Sequence, residues 1–324
     1  MTTYKEINGT NIEAVSSDPA NPVLGQVWYN TTTNVVKGLG QTTVGSWSTG
    51  NSMNDSRTSL GGAGVQTSAL GFGGYGTTQA VTESYNGTSW TEVNDLNTGR
   101  TYLGGAGISN TSALAIGGYV TTPRAFTESW NGSSWTEVGD LNTARFALTA
   151  AGTQTSAIAA GGATPPAPRP SNSETWNGTA WTNNGTINTT RDGLASAGTD
   201  STNALIFGGT NGSALGVNES WNGSAWTELA DLTDPRFGLG GGGASNTSAL
   251  AFGGNSPGNT ANTELWNGTS WSEQNNMSTA RREIAGAGNA TAALGFGGYA
   301  GAASADSEEW LGAGSPVTVT FTDS

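Results

Sequence analysis

Glu174-Thr175-Trp176-Asn177-Gly178-Thr179-Ala180-Trp181 sets two tryptophans five residues apart around an Asn-Gly pair. Asn-Gly between two aromatic-bearing runs is a strong short hairpin signal, because both residues tolerate the positive φ of a type I′ turn. The same pair stands at Asn86-Gly87, Asn131-Gly132, Asn222-Gly223 and Asn267-Gly268. Further out, a tryptophan and an arginine recur ten residues apart: Trp47/Arg57, Trp90/Arg100, Trp135/Arg145, Trp181/Arg191, Trp226/Arg236 and Trp271/Arg281. Successive pairs lie 43 to 46 residues apart. A period of that size marks a repeat architecture.

One unit runs from Arg145 through a small-residue stretch (147–152) and a polar link to Ala157-Ile158-Ala159-Ala160 and Gly161-Gly162. It then continues through a Pro-rich stretch to Glu174 and the two tryptophans. The diglycine recurs at 73–74, 117–118, 208–209, 253–254 and 297–298. The acid recurs as Glu83, Glu128, Glu219, Glu264 and Glu308, with an aromatic two residues after each. Segments of four to eight residues bounded by Gly, Asn, Thr and Ser read as short strands joined by tight turns. None carries a sustained 3.6-residue apolar period. The first strand of each unit is very small, as in Leu60-Gly61-Gly62-Ala63-Gly64. Glycine within a strand often marks close backbone approach, and crowding around a common axis explains it here. The outer strands carry tryptophans able to fill the wedge between neighbouring units.

The expected fold is therefore all-β, a six-bladed β-propeller of four-stranded blades over residues 44–311. The sixth unit, Arg281 to Trp310, lacks the Asn-Gly turn and the final Trp strand, whereas Trp47 is a spare copy. Residues near 44–48 are expected to supply that outer strand and close the ring.

Diglycine, aromatic, Trp, then Leu/Met-x-x-x-Arg resembles the kelch repeat, with Asp140-Leu141-Asn142-Thr143-Ala144-Arg145 after Trp135 close to its pattern. The resemblance covers about residues 44–311 and implies a kelch-like propeller. The departure is the five-residue spacing of aromatic and Trp, where an Asn-Gly turn replaces a longer loop. Galactose oxidase is also a kelch-type propeller, but its copper site needs His and Cys. This chain has no His and no Cys, which removes disulfides, thiolate chemistry and imidazole ligands or bases. No metal and no cofactor is expected. Net charge is −13 with two lysines, so nucleic acid is an unsuitable partner, because phosphate binding needs a basic face. No apolar run reaches membrane-spanning length, and residues 1–30 lack the apolar core of a secretory signal.

The N-terminal arm (1–43) differs from the repeats. Val27-Trp28-Tyr29-Asn30, then 31–34, then Val35-Val36-Lys37-Gly38 reads as a β-hairpin. Its Gly-x-x-Trp-Tyr-Asn-x-x-x-Asn-x-x-Lys stretch, from Gly25 to Lys37, resembles a segment of bacteriophage tail-fibre and other virion proteins. Together with kelch-like repeats it resembles proteins of aquatic phages, cyanophages among them. The resemblance implies a virion structural protein, made in host cytoplasm, with other virion proteins as partners. The C-terminal segment (312–324) contains Pro316-Val317-Thr318-Val319-Thr320-Phe321-Thr322, which alternates with period two and reads as a further strand. It is expected to pack beside the Trp28 hairpin, or to extend a partner's sheet.

Candidate sites follow from the same frame. Each of Arg57, Arg100, Arg145, Arg191, Arg236 and Arg281 precedes an innermost strand, so the six lie toward one face. They either form an anion-binding ring or each bond carbonyls or a Glu between blades; the matching recurrence of Glu83, Glu128, Glu174, Glu219, Glu264 and Glu308 favours the second. A glycosidase needs a carboxylate pair that breaks the symmetry. Asp192, Asp200 and Asp234 are irregular but isolated, so no catalytic residue is assigned and a non-enzymatic role is expected. Asn131-Gly132-Ser133-Ser134-Trp135 resembles the sialidase Asp-box only in outline, having no Asp. Asn-Gly-Thr/Ser matches a glycosylation sequon, but the turn role accounts for it. The links after the diglycines vary most, and variable loops on a rigid scaffold are where recognition sits. Tyr75, Tyr119, Arg124, Arg169 and Tyr299 are the ligand-binding candidates there. Their expected partner is a host-surface polysaccharide or a neighbouring virion subunit. The alternatives are a capsid decoration protein, a propeller glycosidase, or a bacterial lectin-like module.

Overall fold

A computed structural model describes residues 12–41, 44–166, 168–314 and 316–321. Among them there is no helix, and the strands form seven four-stranded sheets in a propeller-like, all-β arrangement. The chain divides into two compact units, 1–45 with 312–324, and 46–311.

The smaller unit is one sheet. Val27–Asn30 and Val35–Gln41 form the antiparallel hairpin read from sequence. Pro316–Phe321 pairs antiparallel with Val35–Gln41, the own-chain alternative for the terminal strand. Glu13–Val15 adds a parallel strand beside Val27–Asn30, which no period-two pattern announces. Asp18 ties this sheet together. Its carboxylate accepts from Trp28 Nε1 at 3.0 Å, Asn30 Nδ2 at 2.7 Å and Lys37 Nζ at 2.6 Å. These donors, Lys37 foremost, hold the Asp18 carboxyl down at about 2.

In the larger unit six sheets carry the repeat. The third is representative: Thr149–Gly152, Ala157–Ala160, Asn172–Trp176 and Trp181–Thr186 run antiparallel in sequence order. In the sixth, Ala285–Gly288, Ala292–Phe296 and Ser307–Leu311 take Ser46–Thr49 as fourth strand, with Trp47 opposite Trp310. Trp47 thus holds the position that Trp181 holds opposite Trp176.

The aromatics pack the sheets against one another. In each sheet the two facing rings lie 5.0–5.4 Å apart. In four of the six sheets the outer ring also meets a Phe of the preceding sheet, as Trp135 meets Phe72 at 5.0 Å and Trp90 meets Phe296 at 4.9 Å. Each such aromatic pair contributes about 0.5–1.5 kcal/mol beyond its area burial. In five of the six sheets the outer indole N–H donates to a hydroxyl on the preceding sheet, as Trp135 does to Thr82 and Trp181 to Thr127, both at 3.0 Å.

The Asn-Gly reading needs correcting. Tyr85 and Trp90 are a register pair, so the loop between them is four residues, 86–89, and not a two-residue turn. Gly87 alone takes positive φ (89°). Asn86 keeps ordinary backbone, and its Oδ1 accepts from Thr88 N and Ser89 N, both at 2.9 Å. The side chain mimics a backbone turn, so Asn is chosen for its acceptor.

Crowding of the innermost strands is direct. A Cβ on Gly105 would stand 2.2 Å from the carbonyl oxygen of Gly62 on the neighbouring sheet. One on Gly286 would stand 2.3 Å from that of Gly241.

Candidate functional site

The repeated arginines are buried. All six guanidinium side chains have no exposure, and each pairs with the repeated Glu of its own sheet, itself at most 3% exposed, so the pairs tie turns to strands within a sheet and do not lie, as expected, between blades. Arg145 Nη2 bonds Glu174 Oε1 at 2.7 Å, and its Nη1 donates to the Gly161 and Asn172 carbonyls. Glu174 also accepts from the amides of Asn142 and Thr143 and from Asn142 Nδ2. The pair therefore pins the Leu141-to-Arg145 turn onto the third strand of the sheet. Burial pushes every one of these guanidiniums below its ordinary value, and the facing Glu pulls it back. An arginine so enclosed has no free face for an external anion.

Two residues beyond each arginine the chain reverses sharply. Ser59, Tyr102, Ala147, Gly193, Gly238 and Glu283 all take left-handed φ, 52° to 63°. Their main chains form one circle of hydrogen bonds. Tyr102 N donates to Ser59 O, Ala147 N to Tyr102 O, Gly193 N to Ala147 O, Gly238 N to Gly193 O, Glu283 N to Gly238 O and Ser59 N to Glu283 O, at 2.5–3.0 Å. A left-handed conformation costs a non-glycine residue about 1–3 kcal/mol and persists only where surroundings over-determine it; the circle supplies that constraint.

This circle rims a cavity of about 280 Å³. Its floor is an aliphatic collar of Leu60, Leu103, Leu148, Leu194, Leu239 and Ile284, which also lines a glycine- and alanine-walled tunnel of about 270 Å³. The side chains of the mouth do not repeat. Tyr102, Phe146 and Phe237 supply rings, Glu283 and Asp192 carboxylates, Ser59 and Thr210 hydroxyls. Glu283 Oε2 accepts from Thr58 Oγ1 at 2.9 Å and Ser59 Oγ at 2.6 Å. Its Oε1 has only the Tyr102 hydroxyl at 3.4 Å and Arg282 Nε at 3.8 Å. Asp192 is held by Arg169 Nε at 2.5 Å. Burial raises the Tyr102 phenol above its ordinary value, and the Glu283 charge adds to the rise while the Ser59 bond opposes it.

The loop candidates are scattered around this cavity and none lines it. Tyr119 packs edge-on against Phe146 at 5.1 Å. Arg169 reaches the cavity through Asp192, and Tyr299 lies under Arg282 at 4.6 Å, next to Glu283. Tyr75 is 63% exposed and joins only through main-chain bonds to Thr58. Arg124 lies over Phe126 at 5.5 Å. Of the irregular acids, Asp192 lines the cavity, whereas Asp200 bonds Thr202 and Asp234 accepts from Ser256 and Asn262. Sequence reading missed Ser59, Tyr102, Phe146, Phe237 and Glu283. Their signal was present: the two positions after each repeated arginine read Thr-Ser, Thr-Tyr, Phe-Ala, Asp-Gly, Phe-Gly and Arg-Glu. Among the described residues, no group of acidic side chains is arranged to hold a metal ion.

The chain matches no protein-family model and no curated protein. The kelch and virion likenesses rest on the quoted motifs alone.

Proposed function

We propose that the larger unit is a closed six-bladed, kelch-like propeller serving as a non-enzymatic recognition module of a bacteriophage virion, tail- or fibre-associated. Its mouth cavity binds a saccharide of the host surface. Closure is supported by the hydrogen-bond circle, which passes once through all six repeats, and by Ser46–Thr49 lying on Ser307–Leu311. The observation that carries the function is the mouth itself. There an otherwise repeating chain sets aromatic, hydroxyl and carboxylate groups around a cavity, the usual composition of a small-molecule site. The virion assignment is supported by the Gly25-to-Lys37 resemblance, and the small sheet that carries it would be the attachment unit.

Two carboxylates at one cavity are also what glycoside hydrolysis requires. Asp192 is committed to Arg169, and Glu283 to two hydroxyls, which suits them to hold a ligand. Mass spectrometry and antibody-labelled electron microscopy of purified particles test the proposal. Label at tail or fibre tips is expected; label over the capsid would replace recognition by a decoration role. Absence from particles, or release of reducing sugar from a bound polysaccharide, would overturn the virion or the non-enzymatic part respectively.

A further inference from the structure

Resting on that reading, we infer that the mouth cavity takes a single terminal, non-acidic sugar residue, whose hydroxyls donate to Glu283 and Asp192 while its apolar ring face lies on Phe146 or Phe237. Size comes first. At about 280 Å³ the cavity lies just below the range for drug-sized pockets, roughly 300–1,000 Å³. The aliphatic collar at its inner end offers a sugar no polar side chain, so on this reading a polymer enters by its end.

Charge comes second. No lysine or arginine lines the cavity; its charged groups are Asp192 and Glu283. Arg169 and Arg282 hold those carboxylates from outside, one through Asp192 Oδ2 and the other at 3.8 Å from Glu283 Oε1. Both arginines are spent on local partners, Arg169 also donating to Asn211 O and Arg282 lying on Tyr299. A ligand carboxylate or sulfate would meet two like charges in a chain of net charge −13, and like charges at close range are disfavoured. An ionised carboxylate is acceptor-only. Sugar hydroxyls, or an ammonium on an amino sugar, supply the donors it needs.

Geometry comes third. Glu283 Oε2 is saturated by Thr58 and Ser59, whereas Oε1 has only long contacts at 3.4 and 3.8 Å. That oxygen has room for a short charge-assisted bond. The left-handed backbone at Glu283, φ 52°, fixes the carboxylate at the rim, as preorganisation of a recognition group requires.

Calorimetric or NMR titration of the full chain with neutral hexoses, glucosamine, glucuronic acid and sialic acid tests this. A neutral or amino sugar should bind with Kd of about a millimolar, typical of so small a ligand. The acidic sugars should bind at least tenfold more weakly. Glu283→Gln, isosteric and still able to bond Ser59, should weaken the neutral sugar about tenfold and narrow the gap to the acidic ones. Phe146→Ala should weaken both kinds alike. Acidic sugars binding as tightly as neutral ones would overturn the inference yet leave saccharide recognition standing. An unchanged affinity in Glu283→Gln, with wild-type unfolding temperature, would also overturn it. Binding of host polysaccharide but of no monosaccharide would sink the single-residue pocket alone. Binding of neither would sink the saccharide reading as a whole.

Discussion

Arg145 and Ala147 are two residues apart, yet they belong to different parts of the molecule. At Arg145 the six repeats agree, and each arginine is enclosed with its Glu and donates to at least one main-chain carbonyl at or near the diglycine of its sheet. At Ala147 the six main chains still agree, through the hydrogen-bond circle, but the side chains are Ser, Tyr, Ala, Gly, Gly and Glu. The buried layer repeats in backbone and side chain; the mouth repeats in backbone only. Identity at a buried polar position marks what the frame demands. Variation on an identical frame marks what the frame leaves free for recognition.

The largest effect should come from breaking the buried layer. Arg145→Leu leaves the Glu174 carboxylate buried with amide donors only, and strips donors from the Gly161 and Asn172 carbonyls. Removing one partner of a buried pair costs about 3–5 kcal/mol. Denaturant unfolding followed by tryptophan fluorescence should show a loss of that size. Replacing Glu174 as well should recover little, because the Asn142 and Thr143 amides then lose their acceptor. A cost below about 1 kcal/mol would mean that the pairs behave like surface salt bridges, and the contrast with the mouth would fail.

A smaller effect comes from the one outer tryptophan that lacks the repeated bond. Five outer tryptophans donate to a Ser or Thr hydroxyl on the preceding sheet. Trp271 Nε1 is buried without a partner, and so is Oδ1 of Asn218, the residue at the hydroxyl position. Asn218→Thr should restore the bond and stabilise by about 1 kcal/mol, the net value of one hydrogen bond, less whatever is lost with the Asn218 Nδ2 bond to Ala230 O. A rise of ~1–3 °C in thermal unfolding is expected. A fall would show that the frame has adapted to Asn218.

How much of this was legible follows from the same contrast. Strand pairing, the small inner strands and the Arg–Glu recurrence show in the sequence because each is enforced six times. Trp47 opposite Trp310 was legible because a repeat missing one strand and a spare copy elsewhere leave few ways to pair. The loop at Asn86 was misread because sequence does not tell whether Asn serves by its backbone or by its side-chain acceptor. The mouth is hidden because Ser59, Tyr102, Phe146, Phe237 and Glu283 share a place after the repeated arginines but no one residue type recurs there in all six repeats. Only the circle brings them together. Tyr75 and Arg124 stand in the longer, more variable loops, which the fold sets outside the cavity.

The smallest effect separates the two parts by titration. Tyr102 sits in the mouth with its phenol raised, chiefly by burial and secondarily by the Glu283 charge. A group with a raised folded value lends stability that is whole below its unfolded value, about 10 for Tyr, and is lost as pH climbs through the higher folded value. Alkaline difference spectra of the chain against Tyr102→Phe should therefore isolate one phenol ionising above the ordinary value. Glu283→Gln should move it back toward that value without abolishing the shift, since burial is the larger cause. The buried layer should give no such signal, because it contributes no phenol; its guanidiniums are lowered by burial and raised back by their glutamates. If Glu283→Gln left the Tyr102 titration where it was, the carboxylate would not be turned toward the mouth. The charge that is meant to turn acidic sugars away would then be facing elsewhere.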